Sequence, residues 1–85
     1  MNICESIKKS INVQAEIITD DHITLYLPNL QITIDYDIKW CRIHHNWVLL
    51  KTFDLDELWS DHEKCSSFIV DEINKIRFNL LEPTL

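Results

Sequence analysis

Four cysteine and histidine residues have the type and spacing of a tetrahedral zinc site. Cys41 and His44 are separated by two residues, as are His62 and Cys65, and 17 residues lie between the two pairs. Two thiolates and two imidazoles are a common ligand set for Zn²⁺. Against such a site, positions 41 and 44 begin on opposite faces of a strand, and the chain has no glycine to bend it around a metal. We therefore expect no metal or other cofactor, and a zinc-stabilised module stays open as an alternative.

No other group of residues has the arrangement expected of an active site. Cys41 and His44 could pair as nucleophile and base, but the sequence supplies no third group to orient them. Asp35 and Asp37 share one face of a predicted strand, where two carboxylates could bind a divalent ion, yet no nucleophile accompanies them. The absence of glycine also excludes phosphate-binding and dinucleotide-binding loops, which need positive φ angles or close approach to a ligand. We expect a protein that is not an enzyme.

Acidic side chains are concentrated in the decapeptide 54–63, which has five carboxylates and neither lysine nor arginine. This segment alone contributes −5 to the formal net charge of −6. In one interpretation the acids cap the start of a helix, where each stabilises the helix dipole by about 0.3–1 kcal/mol. In the other they form an outward acidic face that docks on a cationic protein, and Asp35 and Asp37 extend that face.

Trp59 lies within this acidic segment, one position from the apolar stripe of the predicted helix. An aromatic side chain at the edge of a charged patch has the composition of a protein–protein hot spot. The sequence leaves two alternatives for Trp59, the edge of the core or a contact with a partner. The predicted partner-binding residues are Asp35, Asp37, Asp54, Asp56, Glu57, Trp59, Asp61 and Glu63.

Length and charge limit the classes of partner. The chain has 85 residues, enough for one domain, 1–85, with a small core. Eight basic against 14 acidic residues disfavour direct binding to nucleic acid or to an anionic membrane. No apolar run reaches the roughly 18–20 residues that span a bilayer, and the first residues do not form a signal peptide. With three cysteines, an odd number, we expect reduced thiols and a cytoplasmic protein.

Alternating apolar and polar residues predict an antiparallel sheet with one face packed and one face in water. The alternating segments are 13–18, 22–27 and 30–41, and an apolar run at 47–50 predicts a fourth strand, 47–53, that is partly covered on both faces. In the longest segment, which has room for a bend near Asp37, Ile38 and Trp40 fall on the packed face and Cys41 on the polar face. We expect a turn at 44–46, before the last strand.

Apolar residues at helical spacing flank this sheet on both sides in sequence. Ile3, Ile7 and Ile11 mark one face of a short helix, and a stripe from Leu55 to Leu80 marks a helix of about 26 residues. Capping signals at both ends of the segment 54–63 favour a short helical turn before the main helix. We predict an α+β fold with a short N-terminal helix, a three- or four-stranded antiparallel sheet and a long C-terminal helix, both helices packing on one sheet face.

This order of elements resembles that of the double-stranded RNA-binding domain. In that family the N-terminal end of the second helix is basic and binds phosphate, whereas here the corresponding segment 54–63 is acidic. The resemblance is limited to topology, implies no RNA binding, and assigns no family.

We expect a small acidic inhibitor or adaptor that docks stoichiometrically on a basic surface of another protein. In size and charge the chain resembles toxin-immunity proteins and phage-encoded anti-defence proteins, including nucleic-acid mimics. That resemblance implies a nuclease or another nucleic-acid-binding protein as the partner. The alternative is a homo-oligomeric structural protein, a homodimer in the simplest case, whose C-terminal helix pairs with that of a second copy.

Overall fold

A computed structural model of the chain describes residues 3–81. Helix α1 (Ile3–Ser10) precedes five strands, and helix α2 (His62–Leu81) follows them. The strands are β1 (Ala15–Ile18), β2 (His22–Leu27), β3 (Leu30–Asp35), β4 (Trp40–His45) and β5 (Val48–Asp54). They form one sheet in the order of the sequence, each strand antiparallel to the next. A 3₁₀ turn, Asp56–Leu58, connects β5 to α2. The predicted α+β class is confirmed.

The sheet has five strands, where three or four were predicted, because the alternating segment 30–41 is interrupted. Strand β3 ends at Asp35, whose carboxylate accepts hydrogen bonds from the backbone N–H groups of Asp37 (2.9 Å) and Ile38 (3.1 Å). Asx hydrogen bonds of this kind stabilise turns rather than extended chain. Lys39 completes the turn with a φ angle of 57°. The segment therefore forms two strands and a connection.

The interruption also changes which residues face the core. Ile38 lies in the turn and is 46% exposed, and Trp40 opens β4 with its side chain 39% exposed. Cys41, in contrast, is fully buried and pairs with Phe53 of β5. The predicted facing of these three residues was wrong, because the turn shifts the phase of the alternation by one residue.

Both helices pack on one face of the sheet, which we call the covered face. The core is one cluster of apolar side chains drawn from α1, from β2 to β4 and from α2. The Phe53 and Phe68 rings meet edge to face, with centroids 5.1 Å apart, and join β5 to α2. Fully buried side chains include Ile7, Leu25, Ile32, Ile43, Ile69 and Ile73. Burying each such side chain contributes about 1.5–3 kcal/mol to folding.

Each edge strand is held to a helix by an ion pair on the covered face. Glu16 of β1 contacts Lys8 of α1 at 3.0 Å, and Lys51 of β5 contacts Glu72 of α2 at 3.1 Å. Strand β5 also has an irregularity opposite Ile43 and His44. Inward-pointing charges and bulges both hinder strand pairing between molecules. The two edges of the sheet are therefore protected against backbone association.

The opposite face, which we call the open face, lies away from both helices. Every fully buried strand residue is on the covered face, whereas residues of the open face are half-buried or exposed. The open face carries Ala15, Ile17, His22, Thr24, Tyr26, Gln31, Thr33, Asp35, Trp40, Arg42, His44, Leu49, Thr52 and Asp54. The Thr24 and Thr33 hydroxyls are 3.3 Å apart across β2 and β3.

Turns in this glycine-free chain use residues with side chains in the left-handed region. The residues with positive φ angles are Asn29 (65°), Lys39 (57°), Asn46 (50°) and Trp47 (69°). Asparagine tolerates this region, but a bulky side chain does so at a cost. The turn predicted at 44–46 lies at Asn46–Trp47, since both histidines belong to β4.

Helix α2 is shorter than the predicted 26-residue stripe because residues 56–61 form the 3₁₀ turn and a connection. Leu55 is nevertheless fully buried, so the apolar stripe begins in the core before the helix does. Within residues 3–81, neither helix has the length and hydropathy needed to cross a bilayer.

Candidate interaction surfaces

Acidic side chains from three separate connections meet at one end of the sheet. The Tyr36 N–H donates to the Asp21 carbonyl (2.8 Å), and the Leu55 N–H donates to the Lys39 carbonyl (2.7 Å). These bonds hold the β1–β2, β3–β4 and β5–α2 connections side by side. We call this surface the acidic end, and its carboxylates are Asp20, Asp21, Asp35, Asp37, Asp54, Asp56, Glu57 and Asp61. The remaining predicted acid, Glu63, lies in the first turn of α2 and borders a groove with Ser6 and Ser10 of α1. The chain has 14 acidic residues in all, so most of its negative charge lies at this end.

Three of the predicted partner-binding carboxylates stabilise the backbone. Asp35 holds the β3–β4 turn, and Asp54 accepts a hydrogen bond from the Asp56 N–H at 2.9 Å. Asp61 precedes α2 and accepts a hydrogen bond from the Lys64 N–H at 3.2 Å. An acid at this position caps the helix and contributes about 1 kcal/mol. Hydrogen bonds to the backbone therefore account for Asp54 and Asp61, and Glu63 lies in the first turn of α2, where a carboxylate favours the helix dipole.

The other predicted carboxylates face solvent. Asp56 lies 3.5 Å from Lys39, but the side chains are 69% and 40% exposed, so water screens this pair. Asp37, Glu57 and Glu63 are exposed, and among the described residues their carboxylates make no hydrogen bond or ion pair. At least these three charges are free to meet a partner.

The aromatic residue that accompanies the acidic end on the open face is Trp40, not Trp59. Trp59 is half-buried and packs edge to face on Tyr36, with ring centroids 5.8 Å apart. Trp40 pairs across the sheet with Asp35 and Asp54, and the Arg42 guanidinium lies 5.9 Å from its ring centroid. The alternation predicted Trp40 on the packed face, because a bend near Asp37 was expected to leave the alternation unchanged, whereas the turn at 36–39 shifts it by one residue.

The four candidate zinc ligands are distributed over both sides of the sheet. Cys41 is on the covered face and His44 on the open face of β4, while His62 is exposed at the start of α2. Among residues 3–81, no three side chains of histidine, cysteine, aspartate or glutamate are placed to hold a metal. Burial raises the pKa of the Cys41 thiol to about 12 and that of Cys65 to about 11. Both thiols are protonated at neutral pH and therefore poor nucleophiles.

A pocket of about 250 Å³ on the open face was not predicted. Thr24, Tyr26, Gln31, Thr33, His44 and Trp47 line it. The Gln31 Oε1 atom is buried and has no hydrogen-bond donor within the described part of the chain. One signal for this pocket is present in the sequence, a tryptophan directly after the turn residue Asn46.

A second groove, of about 520 Å³, separates β5 from the C-terminal half of α2. Its walls include Lys51, Lys75, Asp71 and Phe78, and the Phe78 side chain is 64% exposed. Two lysines and one aspartate border the groove, and both lysines are paired with Glu72, so it carries no strong charge of either sign.

Comparison of the chain with protein-family models, with curated proteins and with solved structures gives no match.

Proposed function

We propose that this protein is a small inhibitor or adaptor that binds another protein by docking its acidic end on a cationic surface. The observation that carries this proposal is the convergence of acidic side chains from three connections at one end of the sheet, beside the exposed Trp40. Capping accounts for only some of these acids. Within residues 3–81, the exposed carboxylates of Asp37 and Glu57 make no hydrogen bond or ion pair.

The mechanism follows from the charge distribution. A negative end on a molecule of net charge −6 steers it toward a basic surface and raises the association rate. Carboxylates spread over the three connections then occupy the cationic side chains that otherwise hold an anionic ligand. Trp40 supplies apolar contact area beside them. A nuclease or another nucleic-acid-binding protein is the class of partner that such a surface fits.

Charge reversal at an acid without a structural contact tests this proposal. Glu57→Lys changes the charge of the acidic end, and Asp71→Lys makes the same change on the exposed side of α2. Proteins captured at low salt by the wild type and by both variants are released with high salt and quantified by mass spectrometry. We expect the wild type and Asp71→Lys to capture the same basic protein. Glu57→Lys should capture at least about tenfold less of it.

The purified pair then gives the rates. We expect the association rate to fall steeply as salt rises from about 0.05 to 0.5 M, because screening shortens the range of the attraction. Binding that is insensitive to salt, or equal loss in Glu57→Lys and Asp71→Lys, would show that the acidic end is not the contact.

The alternative, pairing of the C-terminal helix with a second copy, has less support. The apolar stripe of α2, which includes Cys65, Ile69 and Ile73, is buried against the sheet. Phe78 is the exposed aromatic side chain that α2 offers to another helix. Self-association through the open face of the sheet is supported by different observations.

A further inference from the structure

Trp47 has an unfavourable backbone conformation and, in addition, a largely exposed aromatic side chain. It occupies the second position of the β4–β5 turn with a φ angle of 69°, after Asn46 at 50°. Two-residue turns of this kind favour Asn-Gly, because glycine enters the left-handed region without steric cost. The Trp47 side chain is also 78% exposed. Strain and exposure at one residue point to a contact that the isolated chain does not make.

Gln31 shows the complementary deficiency in the neighbouring pocket. Its buried Oε1 atom needs an N–H or O–H donor, because an unpaired buried acceptor is destabilising. The Trp47 indole has one N–H group and no acceptor. Tyr26 forms an aromatic wall of the same pocket. Trp47 borders this pocket too, yet within the described residues its indole N–H does not bond to Gln31, so one surface carries both an exposed donor and an unpaired buried acceptor.

We propose that the open face of the sheet binds a second copy of this chain. In the dimer, the Trp47 indole of each copy enters the pocket of the other and donates its N–H to Gln31 Oε1. A twofold interface requires a self-complementary surface, which an exposed donor and a vacant acceptor on the same face provide. This proposal stands on Trp47 and Gln31 rather than on the acidic residues, although Asp35, Trp40 and Asp54 lie on both surfaces.

The topology is compatible with this symmetry. β3 is the central strand, with β4 and β5 on one side and β2 and β1 on the other. A twofold axis that runs along β3, between two facing sheets, places β4 of each copy opposite β2 of the other. The β4–β5 turn with Trp47 then lies over β2, where Tyr26 borders the pocket. Two sheets packed in this way form a four-layer sandwich with about 10 Å between the sheets.

The area and the uncharged centre of the open face suit a weak, reversible dimer of this chain. Five strands of about six residues cover about 24 by 20 Å, or about 480 Å² per copy, which is below the roughly 800 Å² per partner of a standard interface. Of the three formal charges on the face, Asp35 and Asp54 lie at the acidic end, and Arg42 is the third. The centre of the face, around Thr24, Gln31 and Thr33, is uncharged, and depletion of charge at the core is typical of protein–protein interfaces. Because an axis along β3 places the two acidic ends side by side, we expect the dimer to be stronger at high salt.

The mass of the chain in solution tests the proposal. Sedimentation equilibrium from about 1 to 200 µM is expected to show a transition from 10.2 kDa to twice that mass. Trp47→Gly should raise the dissociation constant at least about tenfold, since it removes a central aromatic anchor. Gln31→Met should raise it about fivefold through loss of one hydrogen bond. Phe78→Ala, which removes an exposed aromatic ring from the opposite side of the sheet, should leave it unchanged.

A measurement on the unmodified chain makes the test independent of variant folding. In proton–nitrogen NMR spectra, the indole N–H signal of Trp47 should move with concentration, whereas that of the half-buried Trp59 should not. A monomer at all concentrations would overturn the proposal. So would a dimer that Phe78→Ala weakens as much as Trp47→Gly does, or one that Trp47→Gly leaves intact. A monomer whose pocket takes a different molecule would also overturn it.

Discussion

At the scale of single residues, Trp47 shows how far local preference and observed structure diverge. Its backbone conformation is one that L-residues other than glycine adopt at a cost of about 1–2 kcal/mol. Asn46, in the same turn, has a side chain that tolerates this region. The strain in the turn is therefore concentrated at one residue.

Replacing Trp47 by glycine should accordingly stabilise the monomer. We expect Trp47→Gly to raise the free energy of unfolding by about 0.5–1 kcal/mol, after allowance for the greater chain entropy of glycine in the unfolded state. Urea denaturation at about 1 µM protein, below the expected range of dimer formation, measures the effect. Asn46→Gly is the matched control and should gain less. A loss of stability in Trp47→Gly would show that the indole packs usefully within its own chain.

The cysteines also have a role in the structure that differs from the one their spacing suggests. Cys41 and His44 have metal-ligand spacing, yet β4 directs one into the core and the other to the open face. Cys4 is buried as well, with its sulfur 3.5 Å from the Tyr36 hydroxyl, and desolvation by burial raises the pKa of its thiol. All three thiols occupy packing positions, in which sulfur acts as a small apolar group.

At the scale of elements, the two edge strands differ in how firmly they are held to the helices. Glu72 of α2 accepts hydrogen bonds from Lys51 at 3.1 Å and from Lys75 at 3.2 Å, and its side chain is 12% exposed. The hydrogen bond from Lys51 is the largest cause that lowers the pKa of Glu72 below its ordinary value of 4.5. The pair at the other edge, Lys8 with Glu16, is more accessible to water. The link between β5 and α2 should therefore contribute more to stability.

Loss of the Glu72 charge should remove the part of that stability that depends on pH. A lowered pKa in the folded state means that the contribution is present above the pKa of the unfolded chain and is lost as the pH falls through the folded value. We expect Glu72→Gln to destabilise the fold by about 1 kcal/mol at pH 7, because Lys51 stays partly in water.

The difference between Glu72→Gln and the wild type should disappear as the pH falls below about 4.5 and through the lowered pKa of Glu72 in the folded state. Urea denaturation at each pH measures it, and Glu16→Gln, at the more exposed pair, is the control with a smaller expected effect. A difference that does not change with pH would assign the loss to packing rather than to charge.

The spacing of apolar residues predicted which segments are helices and which are strands, but it did not predict the number of strands. Alternation identifies the covered face of β2 and β3, and helical spacing identifies the core residues of α1 and α2. The segment 30–41 alternates without a visible break, because residues 36–39 keep the polar–apolar order through the turn. Only the hydrogen bonds from the backbone to Asp35 reveal the interruption. Local sequence patterns carry little information about such a turn, which depends on side-chain geometry.

At the scale of the whole molecule, this one additional turn determines where the charge lies. In an antiparallel meander, successive connections alternate between the two ends of the sheet. With four strands, the connections at 20–21 and 54–61 would fall at opposite ends. With five strands they fall at the same end, together with residues 36–39. The acidic run 54–63 could be read from the sequence, but the acidic end could not, since its existence depends on the strand count.

Concentration of charge at one end should make the fold less stable at low salt. Like charges on the adjacent connections repel one another, and the Debye length falls from about 30 Å at 0.01 M salt to about 10 Å at 0.1 M. We expect the urea midpoint of the wild type to rise over this range. Asp37→Lys should raise the midpoint at low salt and reduce its dependence on salt, because it replaces an exposed like charge by an opposite one. Asp71→Lys, placed near Lys75 on α2, should do neither.

The sign of this salt effect distinguishes the two roles of the acids. If capping and internal ion pairs accounted for the acidic end, salt would screen favourable interactions and the midpoint would fall. A urea midpoint that rises with salt means that repulsion within this cluster of charges destabilises the folded state. In that case the cluster is explained by an interaction outside the chain, because a protein gives up stability at surfaces that function requires. A falling midpoint would instead assign all of these carboxylates to the fold.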